Sequence, residues 1–375
     1  MVALARKTLL HEWRRFLPAV LAVGFACLLQ LLQIAFVFGI FSSASVYITG
    51  STAQLWIGFP GTQSVNIGRP IRDDVRARLL MDPQIRRVEP FLWLDADWRG
   101  GKGSASVFVS GVDASAEGML FGRVLAPEQR ALLREPDTVI VDRSDLDKLG
   151  VRVGDAATVN GHRVVVVAVT RGLRALGGVN VVASLETARR LDPDLATASG
   201  PTYFVAQLKD PGQADAVAAR LCCAKAFGPY EVWTAPRFAR RSELYWLLDT
   251  GAGAGVLFLA VIVFAAGAAI SSQALMAAVA GSIREYATLN ALGVGIANLR
   301  WVVLEQAFWV GAAGLVGATG LGALLVLLAQ SQDVPVVLDL AVSIACMLVA
   351  MGVTTTSGLA AIQSLRRADP ATLLR

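Results

Sequence analysis

Four stretches of this 375-residue chain contain no Asp, Glu, Lys or Arg: Phe16 to Gly68, Thr250 to Ile283, Gln306 to Gln332 and Leu340 to Leu365. A helix needs about 20 mostly apolar residues to cross about 30 Å of hydrocarbon, so each stretch is long enough for one span. The first has length for two, but beyond Phe41 it turns to Ser, Thr, Gly, Gln and Asn, and it is read as one span, Leu17 to Phe41. The apolar run Val164 to Val169 is far too short to cross and reads as a strand. The remaining charges are unevenly placed, with 48 of the 63 lying between Arg69 and Asp249. That block is about 27% charged, close to the average soluble domain at about 25%, whereas the rest of the chain is about 8% charged. This excludes a wholly soluble chain and a disordered one, and fits one soluble domain inserted among membrane helices.

The first span reads as a retained anchor rather than a cleaved signal peptide. Its apolar core of about 25 residues exceeds a typical signal core, and Ser42-Ser43-Ala44 is a weak cleavage site. Orientation follows from Lys and Arg near the span ends. Arg6, Lys7, Arg14 and Arg15 precede span one, Arg284 and Arg300 lie between spans two and three, and Arg366, Arg367 and Arg375 follow span four. The loop between spans three and four has only Asp333 and Asp339. All basic segments share one side only with four spans and both termini in the cytoplasm. The net charge of +5 divides into +2 for the large domain, +5 for the cytoplasmic segments and −2 for the outer loop, and gives little support to nucleic-acid binding. The fold class is an α-helical membrane protein with four transmembrane helices and an α+β extracytoplasmic domain between helices 1 and 2. Its segments are a cytoplasmic amphipathic helix (1–16), spans at 17–42, 246–280, 303–330 and 340–365, the extracytoplasmic domain with a stalk (43–245), a cytoplasmic hairpin (281–302), a short outer loop (331–339) and a cytoplasmic tail (366–375).

Within the domain, Ile71, Val75 and Leu79 line one helical face that ends at Met81-Asp82-Pro83. Strands are expected over Ser104 to Val112, Asp137 to Val141, Val179 to Ala183 and Tyr203 to Leu208, with helices over Ser144 to Leu149 and Gln213 to Lys225. The clearest unit pairs Ala156 to Val159 with His162 to Thr170 across Asn160-Gly161, which suits a type I′ hairpin. Ser184 is placed to cap a helix with Glu186 in its first turn. Arg237 to Asp249 shows no break before span two, and a continuous helix from Arg237 to Leu292 would form a stalk of about 80 Å.

Catalytic motifs are missing from this domain. No Gly-x-Ser-x-Gly elbow, His-Glu-x-x-His, paired Cys-x-x-Cys or EF-hand loop occurs, and His11 and His162 are the only histidines. Gly100-Gly101-Lys102-Gly103-Ser104 lacks the earlier Gly of a phosphate loop and reads as a hairpin tip. Asp95 with Asp97, and Asp142 with Asp145 and Asp147, read as solvated or Arg-paired acids. Cys27 and Cys346 sit in spans as buried thiols. Cys222 and Cys223 are adjacent in the outer domain and could oxidise there, although a disulfide between neighbours is strained, so the sequence leaves their state open.

The most informative segment is Gly281-Ser282-Ile283-Arg284-Glu285-Tyr286-Ala287-Thr288-Leu289-Asn290-Ala291-Leu292-Gly293. Charges at Arg284 and Glu285 stop span two. Ile283, Ala287, Asn290 and Ala291 share one helical face, and Leu289, Leu292 and Ile296 a neighbouring one. Gly293 and Gly295 break the helix, and the chain returns through Arg300, Trp301, Leu304 and Glu305. A short hairpin with apolar residues at a cytoplasmic tip favours docking to a protein partner over a plain inter-helix loop.

The Arg-Glu-Tyr-Ala-Thr-Leu-Asn-Ala-Leu-Gly run resembles the Arg-x-Glu-Ile-Ala-x-Leu-Lys-Ala-Leu-Gly pattern of FtsX/MacB-like ABC transporter permeases, and resembles their DevC-type branch most closely. Asn290 departs from the usual Lys. The layout of one span, a large outer domain and three further spans agrees, and Val153-Gly154-Asp155 with Val159-Asn160-Gly161 looks like the family's small β subdomain. The resemblance implies that Arg284, Glu285, Tyr286, Ala287, Thr288, Leu289, Leu292 and Gly293 form the segment that docks on a separate ABC ATPase. It implies a permease of an ABC exporter in the bacterial inner membrane, working as a homodimer by mechanotransmission, with a periplasmic adaptor and an outer-membrane channel as further partners. No Walker A motif occurs, so no cofactor is expected to bind directly and ATP acts only through the partner. Within the family, extraction of lipids or lipoproteins is the alternative; a non-transporting membrane sensor or regulator would share the layout.

Two further patterns concern the membrane. Val2, Ala5, Leu9, Trp13 and Phe16 oppose Lys7, His11, Arg14 and Arg15, with Arg6 the exception, as in a helix lying on the lipid surface. Gly311, Gly314, Gly317 and Gly320 recur every three residues in span three and suit close helix packing, either among the four spans or across a dimer seam. No charge lies mid-membrane, which argues against an ion path, and Gln30 and Gln33 are expected to bond a neighbouring helix.

Overall fold

The computed structural model describes residues 11–101, 103–192, 200–222, 228–281, 288, 295–331, 336, 343–345 and 347–356. The chain forms two compact units, a helical one of Met1–Gly39 with Ala254–Arg375, and an inserted one, Ile40–Gly253.

The first long helix, α1 (Trp13–Ser42), begins four residues before the expected span, because Trp13 to Phe16 join it. Residues 1–10 of the expected surface helix lie outside the described residues. After a 3-10 turn at Ser43–Ser45, the chain enters the inserted unit through the short helix α2 (Val46–Thr49). Among the described residues nine strands follow: β1 (Leu55–Gly58), β2 (Ile85–Gly100), β3 (Gly103–Val112), β4 (Thr138–Asp142), β5 (Ala156–Val159), β6 (His162–Thr170), β7 (Val179–Ser184), β8 (Tyr203–Leu208) and β9 (Glu231–Thr234). The 16-residue β2 serves two sheets. Its first part pairs antiparallel with β8, which continues through β1 to β9. Its second part pairs with β3 and β5, and the sequence of partners β3–β7–β4–β6–β5 returns to β2, closing a ring of six strands.

Alternation along the strands sorts side chains into separate cores. Leu92, Leu94 and Trp98 of β2 cluster with Val107, Val141 and Val166 on one side of the ring. Phe91 of β2 turns the other way and meets Trp56, Tyr203 and Val205 of the open sheet. The opposite face of that open sheet is covered by the helices Val75–Leu80 and Ala214–Leu221, which bury Leu79 and Val217 against Phe204 and Ala206. The β5–β6 hairpin forms at Asn160-Gly161 as the sequence predicts, with φ of 48° and 84°, the left-handed pair of a type I′ turn. Ser184 caps the helix Leu185–Leu191 by accepting from the Thr187 amide. Short β1 and β9 and the first part of β2 were not expected. Cys222, whose state the sequence leaves open, is disulfide-bonded.

The two ends of the inserted unit are fastened to each other. Helix α3 (Ala235–Leu244) packs against the Ser43–Thr49 segment, and Ser45 Oγ donates to Glu243 Oε1 at 2.6 Å. Tyr47 and Phe238, both fully buried, enter the same aromatic core around Trp56. Beyond α3 the expected unbroken stalk is not formed. A π turn occupies Tyr245–Asp249, and Thr250 is extended, with φ −102° and ψ 147°. Thr250 Oγ1 accepts from the Gly253 amide and so caps a new helix, α4 (Gly251–Gly281), while Trp246 Nε1 donates to Ser64 Oγ at 3.0 Å. A Cβ on Gly253 would fall on the carbonyls of Trp246 and Leu247, so the turn excludes a side chain there. The local sequence Thr-Gly-Ala-Gly favours a restart over continuation, since Gly is a poor helix former.

Helix α5 (Ile296–Ser331) follows. Among the described residues, three helices are long and apolar enough to cross a membrane, and Ser343–Thr356 is a shorter apolar helix within the expected fourth span. The fastening predicts a measurable coupling. A double-mutant cycle of Ser45→Ala and Glu243→Ala should give about 1.5–3 kcal/mol, read from unfolding of the detergent-solubilised chain.

Candidate functional site

Of the expected ATPase-coupling residues, Thr288 is helical and exposed, whereas Arg284, Glu285, Tyr286, Ala287, Leu289, Leu292 and Gly293 lie outside the described residues. What the structure supplies is the lead into that segment. Helix α4 runs to Gly281, and the side chain of Arg15 from α1 lies over that glycine. A Cβ on Gly281 would sit 2.5 Å from Arg15 Nη2 and 2.7 Å from Nε. Arg15 also pairs with Glu12, Nη1 to Oε2, at 2.8 Å. The sequence places Arg15 on the polar face of a surface helix and on the cytoplasmic side of span one, and no local signal ties it to a glycine far along the chain.

The glycine series of α5 divides in two. Gly314 crosses α1 backbone to backbone: its Cβ would fall 2.9 Å from Gly24 N and 3.1 Å from Val20 O, and a Cβ on Gly24 would fall 3.2 Å from Gly314 O. Gly311 is closed by Met351 Sδ at 3.1 Å and Thr354 Cγ2 at 3.4 Å from the same construction. Gly317 and Gly320 have nothing within 4 Å and lie exposed. Packing among the spans therefore accounts for Gly311 and Gly314, and Gly24 is the partner that the sequence reading missed. Gln30 of α1 lies against Gly267 of α4, whose Cβ would be 2.9 Å from Gln30 Nε2. Beside it Cys27, Ser271 and Thr354 line a cavity of about 10 Å³, the size of one water.

In the inserted unit the acids are structural. Asp142 accepts from the Ser144 and Leu173 amides, and burial pushes the Asp145 carboxyl up. Asp95 and Asp97 are exposed on β2, and the β2–β3 hairpin turns between paired Gly100 and Gly103. The strongest polar cluster was not foreseen. Arg87 contacts Glu89 at 2.8 Å and Asp113 at 2.7 Å, Glu89 accepts from the Met119 amide, and buried Arg130 donates to the carbonyls of Asp113 and Leu120. Burial raises the Glu89 carboxyl, against the pull of the Met119 amide and Arg87. The cluster holds the Asp113–Leu125 loop on the strands and presents no reactive group. Among the described residues no group of three His, Cys, Asp or Glu side chains could hold a metal.

Long apolar helices interrupted after the first by a mixed α+β domain, with the domain's two ends fastened side by side, define a multi-pass membrane protein built around an inserted domain. Two family models match in that order: the MacB-like periplasmic core domain over residues 17–221, and the FtsX-like permease C-terminal region over residues 256–370. The chain belongs to the FtsX/MacB-like ABC transporter permeases. Members of this family are membrane components of ABC transporters, not catalytic themselves, and the family implies an ABC ATPase partner. Among solved structures, the periplasmic region of MacB from Actinobacillus actinomycetemcomitans is 14% identical with a TM-score of 0.35, covering 52% of this chain and 94% of that one. The extracellular domain of the noncanonic ABC-type transporter YknZ from Gram-positive bacteria is 12% identical with a TM-score of 0.34, covering 48% and 100%. No curated protein matches the chain in sequence.

The divided glycine series is testable. Gly24→Leu or Gly314→Leu should lower the thermal stability of the purified chain by about 2 kcal/mol or more, as overpacking of a close contact does, whereas Gly317→Leu and Gly320→Leu should leave it within about 0.5 kcal/mol.

Proposed function

We propose that this chain is the permease of an ABC exporter of the DevC-type branch, passing ATP-driven motion of a partner ATPase to its inserted domain. The observation that carries the reading is the FtsX-like permease match over residues 256–370, which brackets the Arg284–Gly293 run and the two long helices leading into and out of it. On this reading Leu289 and Leu292 are the side chains that meet the ATPase, within the Arg284–Gly293 run that the family resemblance assigns to coupling. The chain on this reading has four spans, the fourth including the short apolar helix Ser343–Thr356, and both termini are cytoplasmic by the distribution of Lys and Arg. The inserted domain then lies in the periplasm, outside the inner membrane. ATP acts only through the partner, since the sequence has no nucleotide-binding loop. Two copies form the working unit, and a periplasmic adaptor with an outer-membrane channel completes the export path.

Because α3 and the Ser43–Thr49 segment are fastened together, motion arriving by either connection reaches the domain at one place. The break at Thr250 makes the connection through α4 a jointed one rather than a single rod. Leu289→Asp or Leu292→Asp should abolish co-purification of the ATPase while the permease still reaches the membrane; retained co-purification would refute docking at this segment. A single added cysteine at exposed Val153 should react with a membrane-impermeant thiol reagent on intact spheroplasts, and labelling only after lysis would overturn the topology.

A further inference from the structure

Arg15 is one of four basic residues before span one, and lipid-facing charge balance alone would ask only that it stay on the cytoplasmic side. Its placement is more specific than that. The guanidinium lies on the one surface of α4's last described turn that has no side chain, Gly281, and Glu12 holds it there from one turn earlier on its own helix. Phe16, next in sequence, is buried in the packed core of the helical unit with Leu275 and Ala278 of α4, so the α1 backbone beneath Arg15 is fixed relative to this turn. Gly281 is the last described residue of α4, and its absent side chain makes the room that the guanidinium fills.

We propose that Arg15 is a positioning residue for the coupling segment: seated on Gly281 and oriented by Glu12, it holds the turn of α4 from which residues 282–293 depart. The consequence for the ATPase rests on the docking reading above; the seat itself does not. Two variants give opposite answers under rival accounts. If Gly281 is merely a weak point in a helix, Gly281→Ala steadies α4 by propensity. If Gly281 is a seat, the added methyl meets Arg15 and displaces it.

The test is amide hydrogen exchange of residues 278–281 in the full chain in lipid nanodiscs, alongside co-purification with the ATPase. Arg15→Met and Gly281→Ala are each expected to speed exchange and weaken ATPase association by about threefold to tenfold, the range of one contact's coupling energy. Arg15→Lys, which keeps the cation and the stem, should restore both to within about twofold. Unchanged exchange in Arg15→Met, or slower exchange in Gly281→Ala, overturns the seat. Faster exchange with undiminished ATPase association overturns the positioning role, and Leu289→Asp, measured in parallel, shows separately whether docking occurs at this segment.

Discussion

A domain can be inserted between two consecutive membrane helices only if its entry and exit strands of chain end up side by side. In this protein that condition is met by Ser45 and Glu243, 198 residues apart and hydrogen-bonded at 2.6 Å, with Tyr47 and Phe238 buried in a common aromatic core just beyond them. The aromatic rings do most of the holding: Phe238 packs against Trp56, Tyr203 and Trp233, and Tyr47 against Phe91 and Phe121. The charged hydrogen bond fixes the lateral register of the two segments.

The helical unit solves a different problem. Lipid tails are as apolar as leucine, so helices there gain little from hiding apolar surface and must rely on close contact. Gly24 against Gly314, and Gly311 against Met351 and Thr354, supply that contact in α5, while Gln30 over Gly267 places a hydrogen-bonding group where α1 and α4 meet, beside a small, mostly apolar cavity. The outward part of α5, with Gly317, Gly320 and exposed Val316 and Leu324, is left to lipid or to another chain.

Much of this architecture is local and therefore legible in the sequence. Apolar runs announce the long helices, Asn160-Gly161 announces a left-handed turn, and Ser184 announces a cap, because each is decided within a few residues. What escaped is non-local. Arg86, Arg87 and Glu89 disguise the start of β2 as a charged loop, yet Arg87 and Glu89 are absorbed by Asp113, Met119 and, nearby, Arg130. The closure of the six-strand ring depends on pairing between segments that alternate equally well in other registers. Of the candidate site, Leu289 and Leu292 lie outside the described residues, whereas the Arg15–Gly281 and Gly24–Gly314 contacts require knowing where helices cross. The break at Thr250 was written in Thr-Gly-Ala-Gly but was outweighed by the apolar continuity around it.

The 16-residue β2 has a mechanical corollary. As a member of both the open sheet and the closed ring, it is a beam common to two frames, with Phe91 bonded into one core and Leu92 into the other. Sliding it by one residue would turn every side chain to the wrong side in both frames at once. A strand constrained in this way resists shear along its whole length. Its register is therefore fixed from the pairing with β8 as far as the hairpin at Gly100 and Gly103, on both of its faces.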